Sequence, residues 1–400
     1  MSVEYFRKKQ MILQNDLNSE FIRTGYMNQI NTKERLVGLI GPRGSGKTTL
    51  LLQYLKSDYD IMDSLYMSAD DIIMSDTTIY KVAEEFYSLN GKVLIIDEVH
   101  RYRDWAKELK NIYDSFPKLK IRFSGSSMLN ILHEQYDLSR RAFIVKMNEL
   151  SFREYLEFKY KIKLDSYPLS NILNDSVKIS SSMISKYSYI YSEFKEYLKI
   201  GCYPYFMEIP ENYSIKLFNS MQKIIFEDIP SLNKIEFSNL SFFQKLIHKV
   251  SAAKVPYKVN LAQMSSELGI SQPTLYIYLG ILDKSGIFSA IRKYSDKVSK
   301  KPDKLYFRNT NILNTFANEF DFEIDQGTFR ETFFVNCFEG SAYYSDIGDF
   351  RIGNSIFEIG GKSKDFRQIQ NVENSFLVID TDMTMNERKI PLWLFGFLDK

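Results

Sequence analysis

Four hundred residues with 52 Lys and Arg against 50 Asp and Glu carry a net charge of +2, and at roughly 100–200 residues per domain they imply two to four compact units. Apolar and charged fractions of 44% and 26% exclude a disordered chain, and the near-neutral balance excludes a global basic footprint for nucleic acid. No apolar stretch approaches the roughly 18 residues that span a bilayer, and two cysteines with three histidines build neither a disulfide framework nor a zinc cluster. The charged N-terminus has no signal-peptide core, so a cytoplasmic protein without membrane contact is expected. The 30 Phe and 27 Tyr read as core packing rather than as base-stacking platforms.

In chain order, residues 5–30 read as a polar helix and 36–40 as a short buried strand. A Gly-rich turn and a helix over 48–55 follow, then apolar strands over 64–67 and 92–96, separated by a helical stretch over 77–87. A helix over 105–116 precedes a fourth strand over 120–124. Strands alternating with helices predict an α/β fold with a doubly wound parallel sheet. Beyond Ser151 helical periodicity takes over, through about residue 243. Residues 245–307 read as a separate unit. A helix over 242–253 and one over 261–268 lead through a turn at Gly269 to a helix over 271–285, capped by Ser271 and spaced apolar at Leu275, Leu279 and Leu282. A strand over 287–294 completes a winged helix-turn-helix pattern. The segment from Arg292 to Lys304 carries six basic and two acidic residues and stands where a wing would be. From 327 to 400 the pattern is a helix over 329–338, strands over 350–352 and 356–359, a polar helix, a strand over 376–379 and a last apolar strand over 393–397.

Gly41-Pro42-Arg43-Gly44-Ser45-Gly46-Lys47-Thr48 fits G-x-x-x-x-G-K-[ST] between a strand and a helix, the context that motif requires. Its glycines let successive N–H groups curl toward an anion, and the following helix adds its positive end. Lys47 would reach the β/γ-phosphates, the Thr48 hydroxyl would take a magnesium position, and Thr49 continues the first turn. Val93-Leu94-Ile95-Ile96-Asp97-Glu98 then ends a buried strand in two acids. Asp97 is placed beside the magnesium and Glu98 where an attacking water stands. No guanine-reading N-K-x-D follows: Asn233-Lys234-Ile235-Glu236 has the wrong last residue, so ATP is expected. At the end of the fourth strand, Ser124 and Ser126 are candidates to orient the water, against ordinary turn chemistry. Arg140 and Arg141 are candidates for an arginine finger to a neighbouring subunit, against a plain surface pair.

Taken with Leu-Ile-Ile-Asp-Glu-Val-His, Ser-Gly-Ser-Ser, Asp-Leu-Ser-Arg-Arg, Gly201-Cys202-Tyr203-Pro204 and Phe226-Glu227-Asp228-Ile229-Pro230, these motifs resemble prokaryotic AAA-family ATPases of the archaeal-ATPase-like type that carry a DUF4143-group C-terminal domain. The resemblance implies an AAA+ core over residues 1–150, a helical lid or connector over 151–243, a winged helix over 244–310, and a restriction-endonuclease-like α+β domain over 327–400. The loop and acid strand call for ATP and magnesium, and the arginine-finger candidates for a homo-oligomer.

Glu331 on a helix, with Asp349 and Glu358 on adjacent strands, has the look of the acidic set of a metal-dependent nuclease, a second magnesium site. Such a strand places a lysine two residues after its last acid, and here that residue is Gly360. Lys362 reaches the strand face only through a bulge at Gly360-Gly361. A degenerate nuclease, retained for docking through Lys364, Arg367 and Gln368, is therefore expected. DNA contact rests on the Arg292–Lys304 wing, because the recognition helix carries only Lys284. The reading is an ATP hydrolase that couples turnover to its C-terminal modules. An ATP-gated binding switch and an ATP-dependent nuclease stand as alternatives.

Overall fold

Strand β1 (Leu36–Ile40) is buried at every position, as a central strand covered on both faces must be. A computed structural model of the chain describes residues 2–125, 138, 140–208, 210–230, 235, 239–253, 255–294 and 301–399. The chain divides into two units, Met1–Glu149 and Leu150–Lys400.

In the first unit β1 lies in a wholly parallel sheet with β2 (Ser64–Ser68), β3 (Val93–Asp97), β4 (Lys120–Gly125) and β5 (Ala142–Lys146), ordered β2-β3-β4-β1-β5. The alternation of strand side chains sorts the core. Leu36, Ile40, Leu94 and Ile96 pack toward helices α1 (Ser2–Asn15), α4 (Ile79–Ser88) and α5 (Trp105–Ser115). Val37, Leu39 and Ile95 pack toward α2 (Thr24–Ile30) and α3 (Lys47–Asp58). The single helix expected over 5–30 is two helices, because 16–23 leaves the helical path. Edge strand β2 is covered by α1, and the buried Gln10 side chain accepts from Tyr66 N at 2.9 Å and donates to Ser64 Oγ at 2.9 Å. An edge strand left with open N–H groups invites pairing with another chain; Gln10 satisfies one of them. The fifth strand, β5, was not expected from the sequence.

The second unit begins with helices α6 (Phe152–Tyr160), α7 (Leu169–Lys186), α8 (Ile190–Ile200) and α9 (Tyr213–Lys223). Ser151 and Glu154 form a reciprocal capping box at the start of α6. Then come α10 (Leu240–Ser251), β6 (Tyr257–Lys258), α11 (Leu261–Leu268), α12 (Gln272–Lys284), β7 (Phe288–Ile291) and β8 (Lys304–Phe307). The three strands pair antiparallel in the order β6-β8-β7. Ser271 caps α12 by accepting from Thr274 N, and Gly269 closes α11 at φ +67°.

Helices α13 (Thr310–Glu319) and α14 (Gln326–Phe338) lead to β9 (Tyr343–Tyr344), β10 (Phe350–Ile352), β11 (Ser355–Gly361), β12 (Ser375–Asp380) and β13 (Lys389–Pro391). These form a mixed sheet ordered β13-β12-β11-β10-β9, antiparallel from β9 to β11 and parallel from β11 to β13. Two expectations fail here. Residues 362–374 form turns, not a polar helix. The apolar run expected as a last strand is a 3-10 helix, Leu392–Phe397, buried on all sides; short apolar runs with no periodicity do not distinguish strand from helix.

Candidate nucleotide site

Gly44 and Gly46 take φ of +76° and +92°, a region closed to most side chains, and so turn the loop from β1 into α3. A Cβ at Gly41 would lie 2.0 Å from the Met147 carbonyl, so the loop's first position admits glycine alone. Lys47 is buried and donates to the carbonyls of Gly41 and Pro42, at 3.0 and 2.7 Å, across the mouth of the loop. Ser45 Oγ donates to Pro42 O at 2.9 Å. Arg43 is half-buried and Thr49 exposed. Arg23, absent from the motif, braces the loop: its guanidinium donates to Ser45 O at 3.4 Å and to Asn148 O at 2.6 Å.

The order β3-β4-β1 sets the acid strand one strand away from the loop, yet the Thr48 hydroxyl donates to Asp97 Oδ2 at 2.6 Å. Tyr66 Oη donates to the same oxygen at 2.7 Å. Asp97 Oδ1 accepts from the Ser124 hydroxyl and from Glu98 N at 3.2 Å. Ser124 thus contacts Asp97 and also the Glu98 backbone, whose N–H reaches its Oγ at 3.2 Å. Burial, then the charge of Asp97, pushes the Tyr66 phenol far above its ordinary value, so it stays a donor. A hydroxyl and a carboxylate held together at a phosphate loop are the donor set magnesium takes, and Thr48 and Asp97 fit it.

Glu98 sits in the left-handed region at φ 54°, ψ 38°, a conformation that costs a non-glycine residue about 1 kcal/mol or more and that clusters at functional sites. Its Oε2 lies 3.5 Å from Nε2 of the buried His100. Burial, reinforced by Arg101, Arg43 and Lys47, pushes the His100 imidazole down to about 3. The imidazole beside the Glu98 carboxylate is therefore neutral. Arg141 pairs with Asp114 of its own chain through two bonds of 3.0 and 3.1 Å. A finger reading of Arg141 must break that pair, whereas Arg140 is exposed. Ser126 and the Asn233-Lys234-Glu236 positions lie outside the described residues.

The acids of the C-terminal sheet also come together, though not as a metal cage. Asp349 Oδ2 accepts from Ile359 N at 2.8 Å, and Tyr306 Oη donates to Glu331 Oε2 at 2.5 Å. Burial first, then Asp349, pushes the Glu331 carboxyl up to about 7, and burial raises Asp349 and Glu358 as well. The buried ammonium of Lys304 stands 3.5 Å from Glu331 Oε2, and Lys364 pairs with Glu358. Among the described residues no group of three or more His, Cys, Asp or Glu is placed to hold a metal. Where the sequence suggested a second magnesium at Glu331, Asp349 and Glu358, Lys304 stands against Glu331 and Lys364 against Glu358.

The missing strand lysine is corrected too. A Cβ at Gly360 would meet the Lys364 side chain at 2.5 Å, so the stem of Lys364 lies across the bare glycine and carries its ammonium to Glu358. Lys362 is exposed. The described start of the Arg292–Lys304 segment is held by its own chain: Tyr344 N donates to Arg292 O, Tyr294 N donates to Tyr344 O, and Lys293 pairs with Asp346 at 2.5 Å. With Lys304 buried, two of the six basic residues expected to meet DNA are spent within the chain.

Two family models match parts of the chain, and the first covers this loop. Residues 33–156 match the model of the AAA domain. The matched stretch contains every residue of the loop and acid strand named above. Residues 191–323 match a domain of unknown function, DUF8612; where the resemblance implied DUF4143, it is DUF8612 that matches. An uncharacterized protein of Methanocaldococcus jannaschii, MJ1637, is 30% identical over 310 residues. That match takes in 74% of this chain and 65% of the relative, so the chain spans less than two thirds of the relative's length. The Walker-type ATPase PABY2304 of Pyrococcus abyssi is similar at 11% identity, with a TM-score of 0.42 over 76% of this chain and 99% of that one. The Hsp104–ADP complex of Saccharomyces cerevisiae gives a TM-score of 0.32 at 17% identity, over 69% of this chain and 39% of that one. Both structural likenesses are distant, and the match to the AAA domain model is confined to residues 33–156. No helix among the described residues is long and apolar enough to cross a membrane.

Proposed function

We propose that the protein hydrolyses ATP at the Gly41–Thr48 loop and couples turnover to movement of residues 150–400. The observation that carries this is the 2.6 Å bond from Thr48 to Asp97, which joins the phosphate loop to the acid strand. Magnesium held by Thr48 and Asp97 would neutralise phosphate charge. Loop N–H groups and the start of α3 would take the β-phosphate. Lys47, now spent on two loop carbonyls, would exchange them for phosphate oxygens. Glu98 would take a proton from the attacking water, a role worth roughly 10²–10⁴ in rate; the P–O bond to ADP breaks as the bond from water forms. ATP rather than GTP is favoured by the lack of an N-K-x-D signature.

The element order of residues 240–307 supports a winged helix, and that of 326–399 supports a nuclease-like α+β domain. Phosphodiester cleavage as a second reading gains one point from Lys364, which returns an ammonium to the strand face. It loses one to Lys304, which fills the acid cluster. Binding to DNA through the wing is weakened by the same contacts. Nucleotide titration and turnover assays test the main reading. Lys47→Ala should weaken ATP binding, and Glu98→Gln should leave binding nearly intact while slowing hydrolysis by about 10²-fold or more. Unchanged turnover in Glu98→Gln would remove Glu98 from the mechanism.

A further inference from the structure

We infer that Tyr66 is a positioning residue for the magnesium of bound nucleotide: its hydroxyl fixes the orientation of Asp97 from the neighbouring strand. The inference rests on the nucleotide reading of the loop. Each oxygen of Asp97 already has two donors, Thr48 and Tyr66 on Oδ2, Ser124 and Glu98 N on Oδ1. Only one of the four, the Thr48 hydroxyl, is itself a metal position. When it turns to the metal, Oδ2 keeps a single donor, and that donor is Tyr66 at 2.7 Å. Without it the carboxylate is free to swing on the Oδ1 side, away from the loop.

Tyr66 is well built for this. Its ring is 4% exposed and packs in the core between the sheet and α3. Its backbone is pinned by Gln10 from α1, which takes the N–H that an edge strand would leave open. Backbone, ring and hydroxyl are thus each held, and the strand pairs Tyr66 with Ile95, two residues before Asp97. Groups that orient a metal's ligands set its affinity, and their loss typically costs about 10–100-fold. Removing the hydroxyl alone should therefore weaken magnesium binding without touching the loop that holds the phosphates.

Tyr66→Phe in the full chain tests this, with a fluorescent non-hydrolysable ATP analogue and magnesium as the titrant. The expected result is a magnesium midpoint raised about tenfold, with the analogue's affinity in EDTA and the melting temperature both near wild type. A midpoint that superimposes on wild type, in a protein that binds the analogue, overturns the role of Tyr66 and leaves the nucleotide reading standing. Loss of analogue affinity in EDTA as well would mean that the hydroxyl supports the loop as a whole, and also overturns it. A wild-type chain that binds no analogue at all overturns both readings together.

Discussion

The ammonium of Lys304 stands 3.5 Å from Oε2 of Glu331, and both side chains are about nine-tenths buried. Lys304 belongs to β8 of the small antiparallel sheet, whereas Glu331 belongs to α14 over the C-terminal sheet. Its stem also passes near Tyr344 and Phe350, with the ammonium 4.7 and 5.8 Å from their ring centres. Like charges crowded by Glu331, Asp349 and Glu358 need a counter-ion, and this one comes from the chain itself.

Replacing it with an uncharged side chain of similar length should expose that need. Lys304→Met removes one partner of a buried pair, a change that costs about 3 kcal/mol. Magnesium should then restore part of the loss by binding the folded state alone, while the wild type gains nothing through these acids. Calorimetry of the full chain without nucleotide, with and without magnesium, measures both effects. A Lys304→Met protein as stable as wild type would mean that the acids are neutralised by protonation alone.

The Glu331 carboxyl gives the second prediction, with a definite sign. Its folded-state value of about 7 lies above the ordinary 4.5 because of burial and of Asp349. The folded chain therefore binds its proton more tightly than the unfolded chain does. Stability from this group is fully present below pH 4.5 and is lost as pH rises through about 7. Glu331→Gln keeps the neutral form at every pH, so urea denaturation between those limits should show a flatter pH dependence. The same slope in variant and wild type would place the titration elsewhere.

Much of the first unit was legible in the sequence because the loop and the acid strand are local patterns on apolar strands. β5 was not, because its apolar run is only the four residues 142–145, too short to separate strand from helix by pattern, with Phe143 and Lys146 exposed at the sheet edge. Tyr66 was missed for a different reason: its link to Asp97 is made across a strand pair, and no spacing in the chain encodes that pairing. Lys364 was visible only as a surface cation, since its reach to Glu358 depends on the turn after Gly361 and on the bare face of Gly360. Lys304 looked like part of a DNA-facing wing because composition shows charge and not which charges are paired.

Arg141 provides the third prediction. Its guanidinium is committed to Asp114 within the chain, and a partly exposed pair of this kind is worth about 0–1 kcal/mol. Arg141→Ala should lower ATPase turnover by less than about threefold, where loss of a true finger costs about 10³-fold or more. If subunits do complete one another's sites, the exposed Arg140 is the better placed of the two. Turnover per chain measured across protein concentrations, for both alanine variants, separates these cases. A thousandfold loss in Arg141→Ala alone would show that the Asp114 pair opens on assembly.

The fourth prediction concerns Asn311, a fully buried amide at the start of α13. Its Oδ1 accepts from Gly201 N at 2.7 Å, from Cys202 N at 2.8 Å and from the Tyr213 hydroxyl. Its Nδ2 donates to the carbonyls of Tyr197 and Leu198, at 2.9 and 3.0 Å. One side chain thus closes the end of α8, where a helix leaves carbonyls without partners, and binds it to α9 and α13. Asn311→Leu keeps the branched shape, with two bulkier methyl groups in place of the amide, but strands five buried groups. Each buried group left unsatisfied costs about 1–3 kcal/mol, and relaxation of the turn at Gly201 recovers some of that. A net loss of at least about 3 kcal/mol is expected, with faster amide exchange at Gly201 and Cys202 before global unfolding. Because the phosphate loop belongs to the other unit, nucleotide affinity should be unchanged. Wild-type exchange at those two amides in Asn311→Leu would show that water replaces the side chain and that the hub is dispensable.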